Sequence, residues 1–201
     1  MNLRGVIVSE NAQVKIFVLP GGRLPKRMTS GSVGFDARIR AVVSPTETDP
    51  ANPNLRKTLF DFRVWPEDPL VERHVHVKQA EEGNQLMYRM EPNERVLVGV
   101  GFLTQMQFPM FYWVLPRSGL ASKYGILVSN APGTVDPDYR GEAGVIVDNR
   151  NQHSFDLFLG MRIAQIVFMP ASIPELVVVE SVEGLEETRR GSGGFGSTGI
   201  R

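Results

Sequence analysis

The sequence predicts an all-β fold, and three observations carry that expectation. Glycine and proline are abundant, 20 and 14 of 201 residues, and they punctuate the chain too often for long helices. The apolar residues come in short β-branched runs bounded by turn formers, which is the pattern of strands. No long segment keeps the 3.6-residue period of an amphipathic helix. A chain of this length buries one well-formed domain with room for an elaboration, not two full domains.

In chain order, Val6 to Val8 and Val14 to Val18 read as opening strands, closed by Pro20-Gly21-Gly22. Arg23 to Ser32 is a basic loop leading into a strand from Val33 to Ile39, where Asp36 is a charge among apolar neighbours. Its plain reading is a surface carboxylate paired with a nearby arginine. Ser44 to Asn54 is rich in Pro, Thr, Asn and Asp and is expected to be a loop. Leu59 to Trp65 and Arg73 to Val77 alternate and look like two strands of one hairpin, an added ribbon separable from the rest. His74 and His76 share a face of it, but two histidines without a third ligand are a poor metal site. Half-exposed ribbon residues are the better expectation for both.

Leu86 to Phe102 carries strands around a turn at Pro92-Asn93-Glu94, and Met110 to Leu115 reads as a buried strand. A short helix fits between Ser118 as N-cap and Gly125 past its end. Its start offers unpaired amides, and Arg117 adds a full charge, together a plausible phosphate seat.

The central stretch is Asn-Ala-Pro-Gly-Thr-Val-Asp-Pro-Asp-Tyr-Arg-Gly, from Asn130 to Gly141. Turn residues and then two β-branched residues lead into an acid-rich turn, with a strand from Ala143 to Val147 beyond. The expected object is a β-hairpin with polar groups at its mouth, in which Asp136 is a carboxylate able to take a proton from water. An ordinary acidic turn is the commoner object, since Asp, Pro and Gly are the commonest turn formers.

Asp148 to Gln152 is then a turn. Phe155 to Leu159 and Arg162 to Phe168 read as strands, and Val177 to Val179 ends the regular part. Glu183 to Thr188 is an acidic linker. The tail from Arg189 to Gly199 has almost nothing to bury and is expected to be mobile in the free protein. One reading of it is a floppy terminus. Another is a phosphate wrap, with glycine amides, an arginine charge and a phenylalanine plate for stacking.

Composition narrows the function. Lys plus Arg equals Asp plus Glu at 22 each, whereas a nucleic-acid binder shows a basic excess. No nucleic-acid partner is expected. No apolar run approaches bilayer-spanning length and residues 1–10 carry no signal peptide, so no membrane partner is expected either. The absence of cysteine removes disulfides and thiol catalysis. It fits a reducing cytoplasm, or the interior of a host cell for a viral protein.

Taken together, five segments resemble the motifs of the trimeric dUTP pyrophosphatases (dUTPases), in that family's order. They are Gly34-Phe35-Asp36, Pro116 to Ala121, Asn130 to Gly141, Gly160 to Gln165, and Arg190 to Gly199. Val33 stands where the family usually has alanine, and Met161 where a polar residue is usual. The resemblance covers residues 11–40 and 86–201. The span between the first two motifs exceeds the family's need by about forty residues, near the length of two hairpins.

What the resemblance implies is specific. The fold would be a jelly-roll-like β-barrel in residues 1–187, with an insertion at about 43–84 and a flexible arm at 188–201. The protein would be a homotrimer with active sites shared between subunits. It would hydrolyse dUTP to dUMP and pyrophosphate with Mg²⁺, limiting uracil in DNA and supplying dUMP for thymidylate synthesis. Asp136 would activate the water that attacks the α-phosphorus. Asn130 and the amides of Gly133 and Val135 would read uracil, and Tyr139 would pack under the deoxyribose. Arg117, Ser118, Gly119 and Gln165 would hold the phosphates from a neighbouring subunit. Asp36 would touch the metal through water. In the arm, Phe195 would stack on uracil, with Arg190, Ser197 and Thr198 on the γ-phosphate and Gly196 also among the substrate-binding residues.

Two alternatives stay open. The related dCTP deaminases place a glutamate, their general base, on the strand after the third motif. Here that position is Ile146, and Ser122 stands where they have an arginine. An isoleucine cannot shuttle protons. The other alternative is an interaction protein that acts through the insertion on a dUTPase scaffold.

Overall fold

The computed structural model describes residues 13–81 and 83–194. The chain divides into two units, Met1–Ala171 and Ser172–Arg201. Among the described residues the first unit holds every strand. These are β1 (Lys15–Val18), β2 (Phe35–Arg38), β3 (Ala41–Asp49), β4 (Asn52–Asp61), β5 (Val75–Ala80), β6 (Gly83–Met90) and β7 (Arg95–Gly99). There follow β8 (Phe102–Gln105), β9 (Met110–Pro116), β10 (Ile126–Val128), β11 (Gly133–Val135), β12 (Gly144–Asn149), β13 (Phe155–Phe158) and β14 (Arg162–Pro170). Two short helices interrupt them, α1 (Pro69–Glu72) and α2 (Ser118–Tyr124). The all-β expectation holds.

The sheets run β10-β12-β7-β3-β4, β11-β9-β14-β2, β13-β6-β5 and β1-β8. Alternation along the strands decides which side chains meet. On β7, Val96 and Val98 are buried; opposite them on β12, so are Val147 and Val145. These four face the core, and a period of two must then send Leu97 and Ile146 to the other face. Leu97 and Ile146 are themselves cross-strand partners, so that second face is apolar too. It becomes the wall of the cavity described below. The core behind it includes Val100, Phe102, Tyr112, Leu157 and Ile166.

Several sequence expectations need correction. Ser44 to Asn54 is not a loop, because β3 and β4 run through it as a hairpin. Its Pro, Thr, Asn and Asp are accommodated by breaks in register between Val43 and Thr48 and between Thr48 and Asp49. Leu59 to Trp65 and Arg73 to Val77 do not pair with each other. β4 pairs with β3, and β5 pairs with β6. The insertion thus does contribute to two hairpins, but it is not a separable ribbon. Phe60 and Phe62 are 1% and 4% exposed, with ring centroids 4.7 Å apart, and Phe60 lies 6.1 Å from Tyr88.

Replacing residues 45–82 with a short Gly-Ser turn is therefore expected to unfold the domain. Each buried phenylalanine contributes about 3–5 kcal/mol, and a whole domain has about 5–15 kcal/mol. Urea unfolding measures this. A cooperative transition of undiminished midpoint in the shortened variant would show that these rings are dispensable.

Three further corrections concern ends and turns. Ser118 is the first helical residue of α2; the N-cap is Arg117, with no side-chain cap. Gly125 closes the helix with a left-handed φ of 63°, as expected. β12 continues through Asp148 to Asn149, so the turn begins at Arg150. The regular part of the first unit ends with β14, and Val177 to Val179 form no strand; three β-branched residues without a ladder partner do not make one. In the second unit the described element is a 3₁₀ turn, Val182–Gly184. The proposed opening strand Val6 to Val8 lies outside the described residues.

Candidate active site

The stretch from Asn130 to Gly141 connects two antiparallel partners, β10 and β12, which pair from Ile126↔Asn149 to Val128↔Val147. The expected hairpin therefore exists, but its arms are β10 and β12. The short strand β11 inside it pairs instead with β9, Gly133 opposite Val114 and Val135 opposite Tyr112. That lateral pairing pins the connection to the second sheet and fixes where Asp136, the next residue, emerges. The turn beyond is closed by the Tyr139 amide donating to the Asp136 carbonyl at 3.3 Å.

A cavity of about 240 Å³ opens over this connection. One side is Asn130, Gly133, Thr134, Val135, Asp136 and Tyr139; the other is Leu97, Gly144 and Ile146, with Val114, Glu142 and Arg56 completing it. A Cβ at Gly133 would lie 2.9 Å from Asn130 Nδ2, so a larger residue there would displace the Asn130 amide. Gly141 likewise leaves room for the Tyr139 ring. Tyr139 is steadied by its hydroxyl donating to the Glu142 carbonyl at 3.1 Å. Asp136 also borders a second hollow of about 460 Å³, shared with Met106, Phe108, Pro137, Asp138 and Arg140. Asp136 is exposed, so water reaches it. Tyr112, opposite Val135 in the ladder, is no rival as a base, because burial pushes its hydroxyl up to about 12.

The cavity floor rests on a buried ion pair. Arg40 and Glu142 are 9% and 2% exposed. Arg40 Nε and Nη2 donate to the two Glu142 carboxylate oxygens at 2.8 and 2.7 Å, and the Gly101 amide adds a third bond at 2.9 Å. Gly99 leaves the space that this carboxylate occupies.

The first, second and fourth motifs meet elsewhere. In the sheet β9-β14-β2, Asp36, Gln165 and Leu115 are neighbours in register. Asp36 is gripped by Arg117 Nε at 3.3 Å and Arg162 Nη1 at 3.0 Å. Arg117 also donates to the Arg162 carbonyl at 3.0 Å, and Gln165 to the Pro116 carbonyl at 3.1 Å. A Cβ at Gly34 would run into Gln165 Oε1, so glycine there leaves the Gln165 amide in its place. Arg117, Ser118, Gly119 and Gln165 do not line the cavity in their own subunit.

Arg190 is held in a local turn, donating to the Gly193 carbonyl at 2.8 Å. Phe195, Gly196, Ser197 and Thr198 lie outside the described residues. His74 stacks on Tyr88 with centroids 5.0 Å apart and donates from Nδ1 to the Arg89 carbonyl at 3.1 Å. His76 meets Asp156 at 3.2 Å. Among the described residues no three His, Cys, Asp or Glu groups cluster to hold a metal ion.

Sequence reasoning missed Arg56, Leu97, Arg40 and the carboxylate of Glu142. Leu97 was within reach, since the alternation of Val96-Leu97-Val98 puts it on the face opposite the core. The other three depend on cross-chain pairing that no local pattern announces.

The dUTPase family profile matches residues 85–199. The deoxyuridine 5'-triphosphate nucleotidohydrolase of Heliobacterium modesticaldum is 35% identical over 181 residues, spanning 90% of this chain and 92% of that protein. That of Methylocella silvestris is 49% identical over 110 residues, 55% of this chain and 67% of that protein. Among solved structures, a variant of the Staphylococcus bacteriophage 80alpha dUTPase with dUpNHpp aligns with a TM-score of 0.65 at 18% identity, covering 94% of this chain and 99% of that one. The dUTPase from phage phi11 of S. aureus aligns with a TM-score of 0.57 at 16% identity, covering 86% of this chain and 99% of that one. At such identities the structural likeness speaks for the fold.

Proposed function

The chain belongs to the dUTPase family, and on that premise we propose how its residues hydrolyse dUTP to dUMP and pyrophosphate. The observation that carries the proposal is the shared cavity, in which Asn130, Gly133, Val135, Asp136 and Tyr139 face Leu97 and Ile146. Asn130 and the amides of Gly133 and Val135 read the uracil edge, between apolar walls that suit a flat ring. Tyr139 packs under the deoxyribose and leaves no space for a 2′-hydroxyl. Asp136 orients a water and takes its proton as the water attacks the α-phosphorus.

The active unit is a homotrimer. Arg117, Ser118, Gly119 and Gln165 bind the triphosphate presented by a neighbouring subunit, a reading supported by their absence from their own subunit's cavity. A tetra-anionic substrate in a chain of zero formal charge needs such local donors, and phosphoryl transfer is mainly positioning and charge stabilisation. Residues 1–187 form the catalytic domain. The arm, 188–201, closes on the site, Phe195 stacking on uracil while Arg190, Ser197 and Thr198 hold the γ-phosphate and Gly196 also binds substrate; closure excludes water.

Mg²⁺ would be held by the triphosphate, with Asp36 reaching it through a water. Asp36 already shares its carboxylate between two arginines, which leaves lone pairs for a metal-bound water rather than for direct ligation. When bound, the ion would supply charge neutralisation at the phosphate oxygens. In the cell the reaction limits uracil in DNA and supplies dUMP for thymidylate synthesis.

Ile146 in the cavity wall separates this reading from the deaminase one, because nothing at that position titrates. The test is product analysis with dUTP and dCTP in the presence of Mg²⁺. Pyrophosphate and dUMP are expected from dUTP, and no ammonia from dCTP. Ammonia from dCTP would establish the deaminase instead, and no reaction with either would leave the interaction protein.

A further inference from the structure

The cavity has one basic residue among its described lining, and it comes from the insertion. Arg56 lies on β4, where the register jumps from Val43↔Thr58 to Thr48↔Arg56. The intervening Ser44 to Glu47 bulges out of β3 and is tied by Ser44 Oγ, which accepts from the Thr46 and Glu47 amides at 3.3 and 3.0 Å. The bulge presents the Pro45 carbonyl, to which Arg56 Nη1 donates at 2.7 Å. Arg56 is thus braced against its own hairpin and half-buried at the cavity wall.

A guanidinium carries five N–H donors and no acceptor. Among the described residues the partner of Arg56 is that neutral carbonyl, so the remaining donors are unspent. Of the two carboxylates in the cavity lining, Glu142 is already committed to Arg40, and among the described residues Asp136 makes no ion pair with Arg56. Arg56 shares the cavity with Asn130 and Gly133, the residues read above as the base reader. Arg117 and Gln165, which bind the phosphates in the reading above, do not line it.

We propose that Arg56 is a specificity-determining residue that donates to the uracil O4 carbonyl and so selects uracil over cytosine. The proposal rests on the nucleotide reading of this cavity. Uracil offers an acceptor where cytosine offers an amino group, and two donors facing each other leave both unpaired. Sites built to hydrogen-bond one partner reject the mismatched one strongly for this reason. The insertion then acts as part of the base pocket.

The test compares wild type with Arg56→Met, which keeps length but no donors, and Arg56→Lys, which keeps charge with a different donor geometry. Pyrophosphate release from dUTP and dCTP gives kcat and KM, and calorimetry gives the affinities for dUMP and dCMP. Hydrogen bonds to a charged donor are among the stronger ones. Arg56→Met is therefore expected to raise KM for dUTP about tenfold or more, with kcat within about threefold. The preference for dUTP over dCTP in kcat/KM should fall at least about tenfold, with partial recovery in Arg56→Lys. Equal losses with both nucleotides would overturn the proposal, since Arg56 would then meet the sugar or phosphates they share. Unchanged kinetics would overturn it as well. Should wild type release no pyrophosphate, the catalytic reading fails by itself. The dUMP and dCMP affinities still decide this one: preference lost in Arg56→Met supports it, and preference retained overturns it.

Discussion

Asp136→Asn is expected to lower the turnover of dUTP by roughly two to four powers of ten while nucleotide binding persists. The substitution is nearly isosteric and keeps a hydrogen-bonding side chain, but an amide cannot accept the proton of the attacking water. Asp136 is singled out by place. It follows β11 directly, its backbone is held by the Tyr139 amide, and it borders both hollows of the site. Asp138, two residues on, borders only the second, and Asp138→Asn is expected to cost much less. Single-turnover kinetics together with dUMP affinity separates chemistry from binding. Equal turnover in Asp136→Asn, or equal losses in both variants, would remove Asp136 as the base.

How much of this was legible depends on whether the signal is local. The core faces of β7 and β12 follow from alternation in Arg95–Gly99 and Gly144–Asn149, and both strands were read. Gly125 was read because a left-handed residue after a helix favours glycine so strongly. Ser44 to Asn54 misled because its composition is that of a loop, while its pairing with β4 is decided across the chain. The partner of β11 was hidden for the same reason. Three residues carry little pattern, and their ladder with β9 joins segments about twenty apart in sequence. Arg56 was the least legible of all. Its importance comes from a register break that carries a strand of the insertion to the wall of a distant cavity.

A large loss of stability from a single substitution is expected from Glu142→Ala. Its carboxylate accepts three bonds, two from Arg40 and one from the Gly101 amide, and the side chains of Arg40 and Glu142 are 10% and 1% exposed. Removing one partner of a buried pair leaves the other charge desolvated, at a cost of about 3–5 kcal/mol. Against a total of about 5–15 kcal/mol, the variant stands near the edge of folding. The site is expected to suffer too, because the Tyr139 hydroxyl is anchored on the Glu142 carbonyl, and a shifted floor would loosen the ring proposed to pack under the sugar. KM for dUTP should therefore rise in whatever fraction stays folded. The pair need not be worth much in itself, since apolar residues of similar volume often replace buried ion pairs without loss. Arg40→Met combined with Glu142→Leu is accordingly expected to regain much of the stability lost in Glu142→Ala. Urea unfolding of the three proteins decides the matter. A loss below about 1 kcal/mol in Glu142→Ala, the range of an exposed pair, would mean that water reaches Arg40 and that the floor is held by packing alone.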